Sequence, residues 1–262
     1  MRFASLGSGS EGNALLIESR DGLRTTRLLI DCGFGRREIE RRLCGAGCAP
    51  QQLDAILVTH EHGDHIGGVF RLARAHGIPV YLTHGTLRAV SRAPGLDQCM
   101  ALLRPIDSHA VFDCGGLQVE PLPVPHDARE PVQYVIDDGR ARLGVLTDLG
   151  HGTPHVIRAL SRLQALVLEC NHDEQLLAGN PSYPPTLKRR IAGPWGHLEN
   201  AEAARILAAI DRQQLRTVVA AHLSRQNNRP ELARAALAGA LGASAVDVHV
   251  ADQQQGVDWL EV

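Results

Sequence analysis

The sequence has few aromatic residues and no long apolar run. Phe, Trp and Tyr together make up 3% of its 262 residues, which leaves few side chains for stacking on nucleobases. No run of about 18 apolar residues is present, so a transmembrane helix is excluded. Polar Ser8, Ser10 and Glu11 interrupt the N-terminus before the apolar core of a signal peptide could form. We therefore expect no secretion and no membrane partner.

Paired cysteines and excess positive charge are also missing. The six cysteines contain no CxxC motif, so we expect reduced thiols and a cytoplasmic location. The formal net charge is −2, which excludes a generally basic coat for nucleic acid but not a local cationic groove. What the sequence does have is 13 histidines, more than packing requires.

Short apolar runs alternate with amphipathic stretches along the chain, and no linker divides them. Strands are predicted at residues 2–6, 14–18, 27–31, 55–59, 79–82, 110–113, 117–124, 132–136, 142–147, 165–169 and 217–221, with a closing pair at 245–250 and 257–262. Helices are predicted at residues 36–43, 66–75, 85–92, 200–210 and 230–241, and a surface loop at 181–185. Two β-rich halves that both carry helices predict an α/β protein. We expect one domain over residues 1–262, a four-layer αββα sandwich of two mixed β-sheets with helices on the outer faces.

The most informative segment reads Thr-His60-Glu-His62-Gly-Asp64-His65 and follows an apolar strand. Packing does not favour four polar side chains at a strand end, because each would need its own hydrogen-bond partner. Neutral imidazoles and a carboxylate are common ligands of zinc, and they also suit manganese or iron. This HxHxDH pattern therefore predicts a metal site.

Further candidate ligands follow later apolar runs directly, as His60 follows its own. They are His126, Asp148 and His222. A rigid sheet can direct residues that are distant in sequence toward one point. Each would be weak evidence alone, but together with the HxHxDH cluster they predict a larger metal centre.

The ordered set of motifs resembles the metallo-β-lactamase fold superfamily, essentially from end to end. The resemblance implies that His60, His62 and His126 hold one metal ion and that Asp64, His65 and His222 hold a second. It implies that Asp148 bridges the two ions, with Asp64 and Asp148 counted as catalytic residues too. Asp31 matches a motif that supports the metal loop in this superfamily. The cofactors implied are two divalent ions per chain, zinc or manganese, with iron as a further candidate.

Within the superfamily, the nuclease branches are the most similar. Lactamases proper carry Cys where this chain has Asp148, and the glutathione-binding tail of glyoxalase II has no clear match. Ribonuclease Z and its small phosphodiesterase relatives add a Glu and a His that correspond to Glu169 and His197. The segments around residues 4–13, 196–200 and 222–228 resemble the small bacterial YycJ/WalJ-type branch, which is 5′→3′ exonuclease-like. Glu199 departs from that branch, which often has Ser there.

This resemblance implies hydrolysis of phosphodiester bonds. Two divalent ions would bind a phosphoryl oxygen and lower the pKa of a water. His197 is the candidate proton donor to the leaving oxygen, and Glu169 would hold its imidazole in orientation. Two alternatives stay open: a small-molecule phosphodiesterase of the cyclic phosphate type, and a glyoxalase II-like thioester hydrolase.

Several polar residues beside the matched motifs are candidates for substrate binding. They are Ser8, Ser10, Asn13, Asn200, Ser224 and Asn227. The basic run Lys188-Arg189-Arg190 could follow a phosphate backbone, although a solvated helix face is the simpler interpretation. The partner expected is single-stranded or end-containing DNA or RNA, or a small phosphodiester. The sequence leaves a homodimer open.

Overall fold

The strands of the protein form where the apolar runs of the sequence lie. In the computed structural model, which describes residues 1–242 and 246–262, they are β1 (Arg2–Gly7), β2 (Ala14–Asp21), β3 (Arg24–Ile30), β4 (Ala55–Leu57), β5 (Val80–Thr83), β6 (Leu103–Ile106), β7 (Phe112–Cys114), β8 (Leu117–Pro123), β9 (Val132–Asp137), β10 (Arg142–Leu146), β11 (Ala165–Glu169), β12 (Thr217–Ala221), β13 (Asp247–Val250) and β14 (Val257–Glu261). Most of the predicted strands are present within two or three residues of their expected ends.

Helices occupy most of the longer connections. They are α1 (Arg36–Gly45), α2 (Gly63–Ile66), α3 (Val69–His76), α4 (His84–Ala89), α5 (Pro154–Ala159), α6 (Glu174–Gly179), α7 (Pro185–Ile191), α8 (Asn200–Ala209) and α9 (Pro230–Leu241). The single helix expected at residues 66–75 is wrong at its start, because Gly67 and Gly68 separate two helices there. Helices α5 and α6 were not predicted, and the expected loop at 181–185 runs directly into α7.

The strands form two seven-stranded sheets. Their orders are β14-β1-β2-β3-β4-β5-β6 and β13-β12-β11-β10-β9-β8-β7. Strands β3 to β6 run parallel in the first sheet, and β10 to β13 run parallel in the second. Both sheets also contain antiparallel pairs, so each is mixed, as the sequence predicted.

Three apolar clusters show how the layers stack. One contains Ile39 of α1 and Leu72 of α3 with residues of the first sheet. A second contains Leu207 of α8 and Leu237 of α9 with residues of the second sheet. The third draws on strands of both sheets and includes the fully buried Tyr134. Three interfaces define four layers, and the αββα prediction is confirmed.

The prediction of a closing strand pair is wrong. Strand β13 joins β12 in the second sheet, whereas β14 crosses to the first sheet and pairs antiparallel with β1. The chain thus ends on the sheet where it began. The expected start of the first of these strands, at residue 245, lies outside the described residues.

In the described ranges, none of the helices has the length and apolar character needed to span a membrane.

Candidate metal centre

The candidate site lies where the two sheets present strand ends to each other. Strands β3 and β4 of the first sheet lead into Asp31 and His60, and β10 and β12 of the second lead into Asp148 and His222. Parallel neighbours place their carboxyl ends at one edge of a sheet, where open α/β sheets bind ligands. The fold therefore brings together all seven predicted metal ligands.

The first group consists of His60, His62 and His126, whose candidate ligand atoms lie within 4.8 Å of one another. His126 donates Nδ1–H to Gly196 O at 2.9 Å, and its Nε2 faces His62 Nδ1 at 3.2 Å. His60 Nδ1 lies 2.9 Å from Thr59 Oγ1. A ring nitrogen that donates a hydrogen bond carries the proton and so fixes the tautomer. The free lone pairs of His60 and His126 are therefore on Nε2. The rings are arranged as metal ligands require.

The second group consists of Asp64, His65 and His222. His65 Nδ1 donates to Asp31 Oδ2 at 2.7 Å, which leaves Nε2 as the ligand atom. His222 Nδ1 lies 3.2 Å from Glu169 Oε1, and its Nε2 lies 3.3 Å from Asp64 Oδ2. In both histidines one nitrogen is held by a carboxylate and the other faces the centre, which is the usual arrangement of a metal-binding imidazole.

Asp148 lies between the two groups. Its Oδ2 is 3.0 Å from His65 Nε2, and its Oδ1 is 3.8 Å from His126 Nε2. Burial alone would raise the pKa of this carboxyl, but the charges of His222 and His65 hold it well below its usual range. Asp148 is therefore an anion placed to serve both groups.

The unpaired nitrogen of His60 tests whether these residues fit a metal. Among the described residues, His60 Nε2 is buried and has no hydrogen-bond partner. A buried polar atom left unpaired costs about 1–3 kcal/mol, and a divalent cation bound to this nitrogen would remove that cost. Imidazole nitrogens with carboxylate oxygens form a donor set for zinc, manganese or iron. The site fits a metal centre.

Asp31 is hydrogen-bonded to residues of both groups or to their neighbours. It accepts hydrogen bonds from Thr59 N at 2.9 Å and Thr59 Oγ1 at 2.8 Å, in addition to the one from His65. A relay thus runs from His60 through Thr59 to Asp31. Asp31 and His222 have φ values of 61° and 56°, a left-handed conformation that costs energy outside glycine and that clusters at functional sites. Asp31 thus contacts His65 directly and His60 through Thr59, and its role in metal binding stays a prediction.

His197 and Glu169 form a pair beside Asp148. His197 Nδ1 lies 2.8 Å from Glu169 Oε1 and 3.3 Å from Asp148 Oδ1, and 22% of the His197 side chain is exposed. Burial favours the neutral ring, but the charge and hydrogen bond of Glu169 outweigh it and raise the pKa of His197. Because Nδ1 is occupied, Nε2 is the nitrogen available to a substrate.

Glu169 also joins three loops of the site. Its Oε2 accepts backbone hydrogen bonds from Leu149 N at 2.8 Å and Leu198 N at 3.2 Å. Its Oε1 contacts both His197 and His222. The carboxylate thereby fixes the Asp148 loop, the His197 loop and a metal-binding ring relative to one another.

Two of the predicted substrate contacts in the glycine-rich loop are buried, and the third is exposed. Ser8 Oγ accepts a hydrogen bond from His222 N at 2.8 Å. Asn13 Nδ2 lies 3.3 Å from Asp64 O and 3.1 Å from His65 Nε2. Ser10 is the exposed one. Ser8 thus contacts the His222 loop and Asn13 contacts the segment of Asp64 and His65, while direct substrate contact by either residue stays a prediction.

The second predicted group, Asn200, Ser224 and Asn227, is also buried. Asn200 exchanges hydrogen bonds of 2.9 Å with Asn228, and Ser224 Oγ accepts from Asn227 N at 3.2 Å. Asn228 Nδ2 in turn donates to Cys170 O at 2.7 Å. These contacts tie α8 and the His222 loop to the end of β11, and substrate contact by the three residues stays a prediction.

Sequence reasoning missed three residues of the site. Thr59 completes the relay to Asp31 described above. Gln133 is fully buried and accepts from Thr147 N at 2.9 Å, next to Asp148. Asp127 lies 3.7 Å from His62 Nε2 and pairs with Arg190 at 2.6 Å. Thr59 and Asp127 directly adjoin ligands in the sequence, a signal that could have found them, whereas Gln133 gives none.

The comparison with known families assigns the chain to a class. Residues 26–223 match the family model described as "Beta-lactamase superfamily domain". The protein therefore belongs to the beta-lactamase superfamily, and it is a metal-dependent hydrolase of that fold.

Similar proteins indicate the branch of the superfamily to which the chain is related. Exodeoxyribonuclease YycJ of Bacillus anthracis is 34% identical over 240 residues, 89% of this chain and 86% of the relative. Exodeoxyribonuclease WalJ of Streptococcus pneumoniae serotype 2 is 30% identical over 250 residues, 95% of this chain and 91% of the relative. The solved structure of Zn²⁺-bound PqqB from Methylobacterium extorquens shares the fold, with a TM-score of 0.73, 18% identity and 100% coverage of both chains. The resemblance to the YycJ/WalJ-type branch is confirmed.

Proposed function

We propose that the protein is a two-metal exonuclease that hydrolyses phosphodiester bonds from an end of DNA, with 5′→3′ polarity. The observation that carries the proposal is the His197–Glu169 pair beside the ligand cluster, because it supplies a proton donor where a sugar oxygen would leave. The two relatives named exodeoxyribonuclease, which align with most of this chain, support the same substrate class.

The ligands divide into two sets in this proposal. His60, His62 and His126 would hold one divalent ion, and the remaining ligands, Asp64, His65 and His222, a second, with Asp148 serving both. When bound, zinc or manganese ions would offset the charge that develops on the phosphoryl oxygens and lower the pKa of a water that they bind. The departure of the leaving group would still require a proton donor.

The chain itself supplies the proton for the leaving group. Glu169 holds His197 through Nδ1, which leaves Nε2 as the nitrogen that would donate a proton. The charge and hydrogen bond of Glu169 raise the pKa of His197 against the effect of burial, which favours the protonated form that a general acid requires. His197 would donate this proton to the departing sugar oxygen, and Glu169 would stabilise the ring throughout.

This pair also separates the leading function from the thioester alternative. A thiolate is a stable leaving group and needs no proton donor, whereas a sugar alkoxide does. A thioester hydrolase would therefore have no use for a buried carboxylate that orients a histidine beside the metal ligands. A small-molecule phosphodiesterase of the cyclic phosphate type would use the same residues, and the experiment below distinguishes it by whether DNA is cut.

The proposal is tested with the purified protein loaded with Mn²⁺ or Zn²⁺. Linear 5′-phosphorylated DNA, bis-p-nitrophenyl phosphate and a thioester are supplied in parallel, and bound metal is measured by elemental analysis. We expect close to two equivalents of metal and release of mononucleotides from the 5′ end. The His60→Ala variant, which lacks one ligand, is the inactive control. Turnover of the thioester without phosphodiester cleavage, or saturation at one equivalent of metal, would overturn the proposal.

A further inference from the structure

The turn that follows α7 exposes an aromatic side chain beside the metal centre. Trp195 is 60% exposed. Among the Phe, Tyr and Trp residues in the described ranges, it is the one that is exposed. A scattered apolar side chain on the surface is ordinary and by itself means little. What distinguishes Trp195 is how its backbone is held.

Both carbonyls that flank Trp195 accept hydrogen bonds from histidines, one a ligand candidate and one in the loop that follows Asp148. The metal-ligand candidate His126 donates to Gly196 O, and His151, three residues after Asp148, donates Nδ1–H to Pro194 O at 2.9 Å. The turn also packs against the Asp148 loop so closely that a Cβ on Gly150 would lie 2.1 Å from Pro194 O. The backbone of Trp195 is thus fixed to the loops that contain His126 and Asp148.

The turn is rigid internally as well. Gly196 N donates to Gly193 O at 2.9 Å, and His197 N donates to Ile191 O at 2.8 Å. The proposed acid His197 therefore lies two residues from Trp195 on the same hydrogen-bonded turn. An aromatic ring on such a turn binds a planar ligand with little loss of conformational entropy.

Positive charge lies at the end of α7, next to this turn. Arg190 pairs with Asp127 at 2.6 Å. Arg189 is exposed and has no ion-pair partner in the part of the chain that the structure describes. An aromatic ring with a nearby free cation is the combination by which proteins bind single-stranded nucleic acid, the ring stacking on a base and the cation contacting the backbone.

We propose that Trp195 is the platform on which a nucleobase next to the scissile phosphodiester stacks, and that Arg189 contacts the phosphate backbone beyond it. The inference deepens the proposed function by naming single-stranded nucleic acid at the site. It gives the enzyme a means to prefer nucleotide substrates over phosphodiesters without a base.

The kinetic test compares Trp195→Ala and Trp195→Phe with Leu23→Ala, which removes an exposed apolar side chain from the β2–β3 turn. Substrates are a short oligothymidylate, the same oligonucleotide with abasic terminal nucleotides, and bis-p-nitrophenyl phosphate. Stacking predicts that Trp195→Ala raises KM for the oligothymidylate about 5- to 150-fold relative to bis-p-nitrophenyl phosphate, with kcat much less affected. Trp195→Phe should recover most of this loss, and wild type should lose the same factor on the abasic substrate.

A binding test does not depend on turnover. Trp195 and Trp259 are the two tryptophans, so Trp259→Phe leaves the fluorescence of Trp195 alone. A phosphorothioate oligothymidylate, which resists cleavage, should quench this emission in the metal-loaded protein, and the abasic form should not. The emission of Trp259 in Trp195→Phe should stay constant.

The two tests separate the inference from the function on which it rests. DNA cleavage with no quenching, and with equal KM for Trp195→Ala and Leu23→Ala, would overturn the stacking inference and leave the nuclease standing. Quenching by the oligothymidylate without cleavage of any DNA would overturn the nuclease proposal and leave Trp195 as a base-binding residue.

Discussion

At the scale of single residues, the site depends on which ring nitrogen of each histidine is hydrogen-bonded to the protein. Four ligand histidines have Nδ1 bound to an oxygen of the protein, namely to Thr59, Asp31, Gly196 and Glu169. This arrangement fixes both the tautomer and the ring orientation before a metal arrives. Residues that touch no substrate are therefore expected to control metal affinity.

Asp31→Asn tests that expectation. Asparagine tolerates the left-handed backbone at this position, but its amide removes one of the oxygens that accept from Thr59 and His65. We expect metal affinity to fall about 10- to 100-fold, measured by competition with a chelator. Asp97→Asn, at an exposed position, is the matched control. Equal affinities in the two variants would contradict a supporting role for Asp31.

His197→Ala tests the proton donor. A sugar oxygen needs a proton as it leaves, whereas p-nitrophenolate does not. The variant should therefore lose about 10²- to 10⁴-fold on DNA and far less on bis-p-nitrophenyl phosphate. His155→Ala, which removes an exposed histidine from α5, should change neither rate. An equal loss on both substrates would assign His197 to binding or to structure instead.

At the scale of elements, backbone hydrogen bonds hold the metal loop, residues 60–65, to the start of β2 and to the end of β3. Cys32 N donates to His65 O at 2.7 Å, and Asn13 N donates to Asp64 O at 2.8 Å. Gly33 lies between these contacts, and a Cβ there would meet Asp64 O at 1.9 Å. The close approach explains why this position is a glycine, although its φ is not in the left-handed region.

Gly33→Ala should therefore separate the loop from the strand. Overpacking of this kind typically lowers the free energy of unfolding by about 1–3 kcal/mol, and Asp64 should lose its alignment, so metal affinity should fall too. Gly239→Ala is the control, because a Cβ there meets nothing within 4 Å, and in α9 it should stabilise by about 0.4–1 kcal/mol. Thermal unfolding with and without metal measures both effects, and a Gly33→Ala protein as stable as wild type would contradict the close approach.

The elements also show what the sequence could and could not predict. Candidate ligands such as His60, Asp148 and His222 could be picked out because each follows an apolar run, which is a local pattern, whereas the division of the ligands into two sets came from the resemblance. The short helices α5 and α6 were missed although Thr153 and Asp173 cap their first turns, a signal that was present. The pairing of β14 with β1 was not predictable, because it joins opposite ends of the chain. The role of Gln133 likewise depends on a strand neighbour.

At the scale of the whole molecule, charge limits how the protein can hold nucleic acid. The 27 basic residues are outnumbered by 29 acidic ones, and many arginines are engaged within the protein, as Arg2 and Arg27 are with Glu18. Acidic Glu61 and Asp127 lie at the metal centre. From this charge balance we expect few contacts to phosphates and no tight binding of a long duplex.

This charge distribution predicts a shallow salt dependence and a need for strand ends. With two or three phosphate contacts beyond the metals, the slope of log affinity against log salt for single strands should be about −1.4 to −2.1, and Arg189→Gln should reduce it by about 0.7. Digestion of linear and covalently closed single-stranded DNA with Mn²⁺ across a salt series measures both properties. The closed circle should resist while the linear form is degraded, because the first cut requires an end. Rapid cutting of the circle would show endonuclease action, and turnover of bis-p-nitrophenyl phosphate with neither DNA cut would reassign the enzyme to small phosphodiesters.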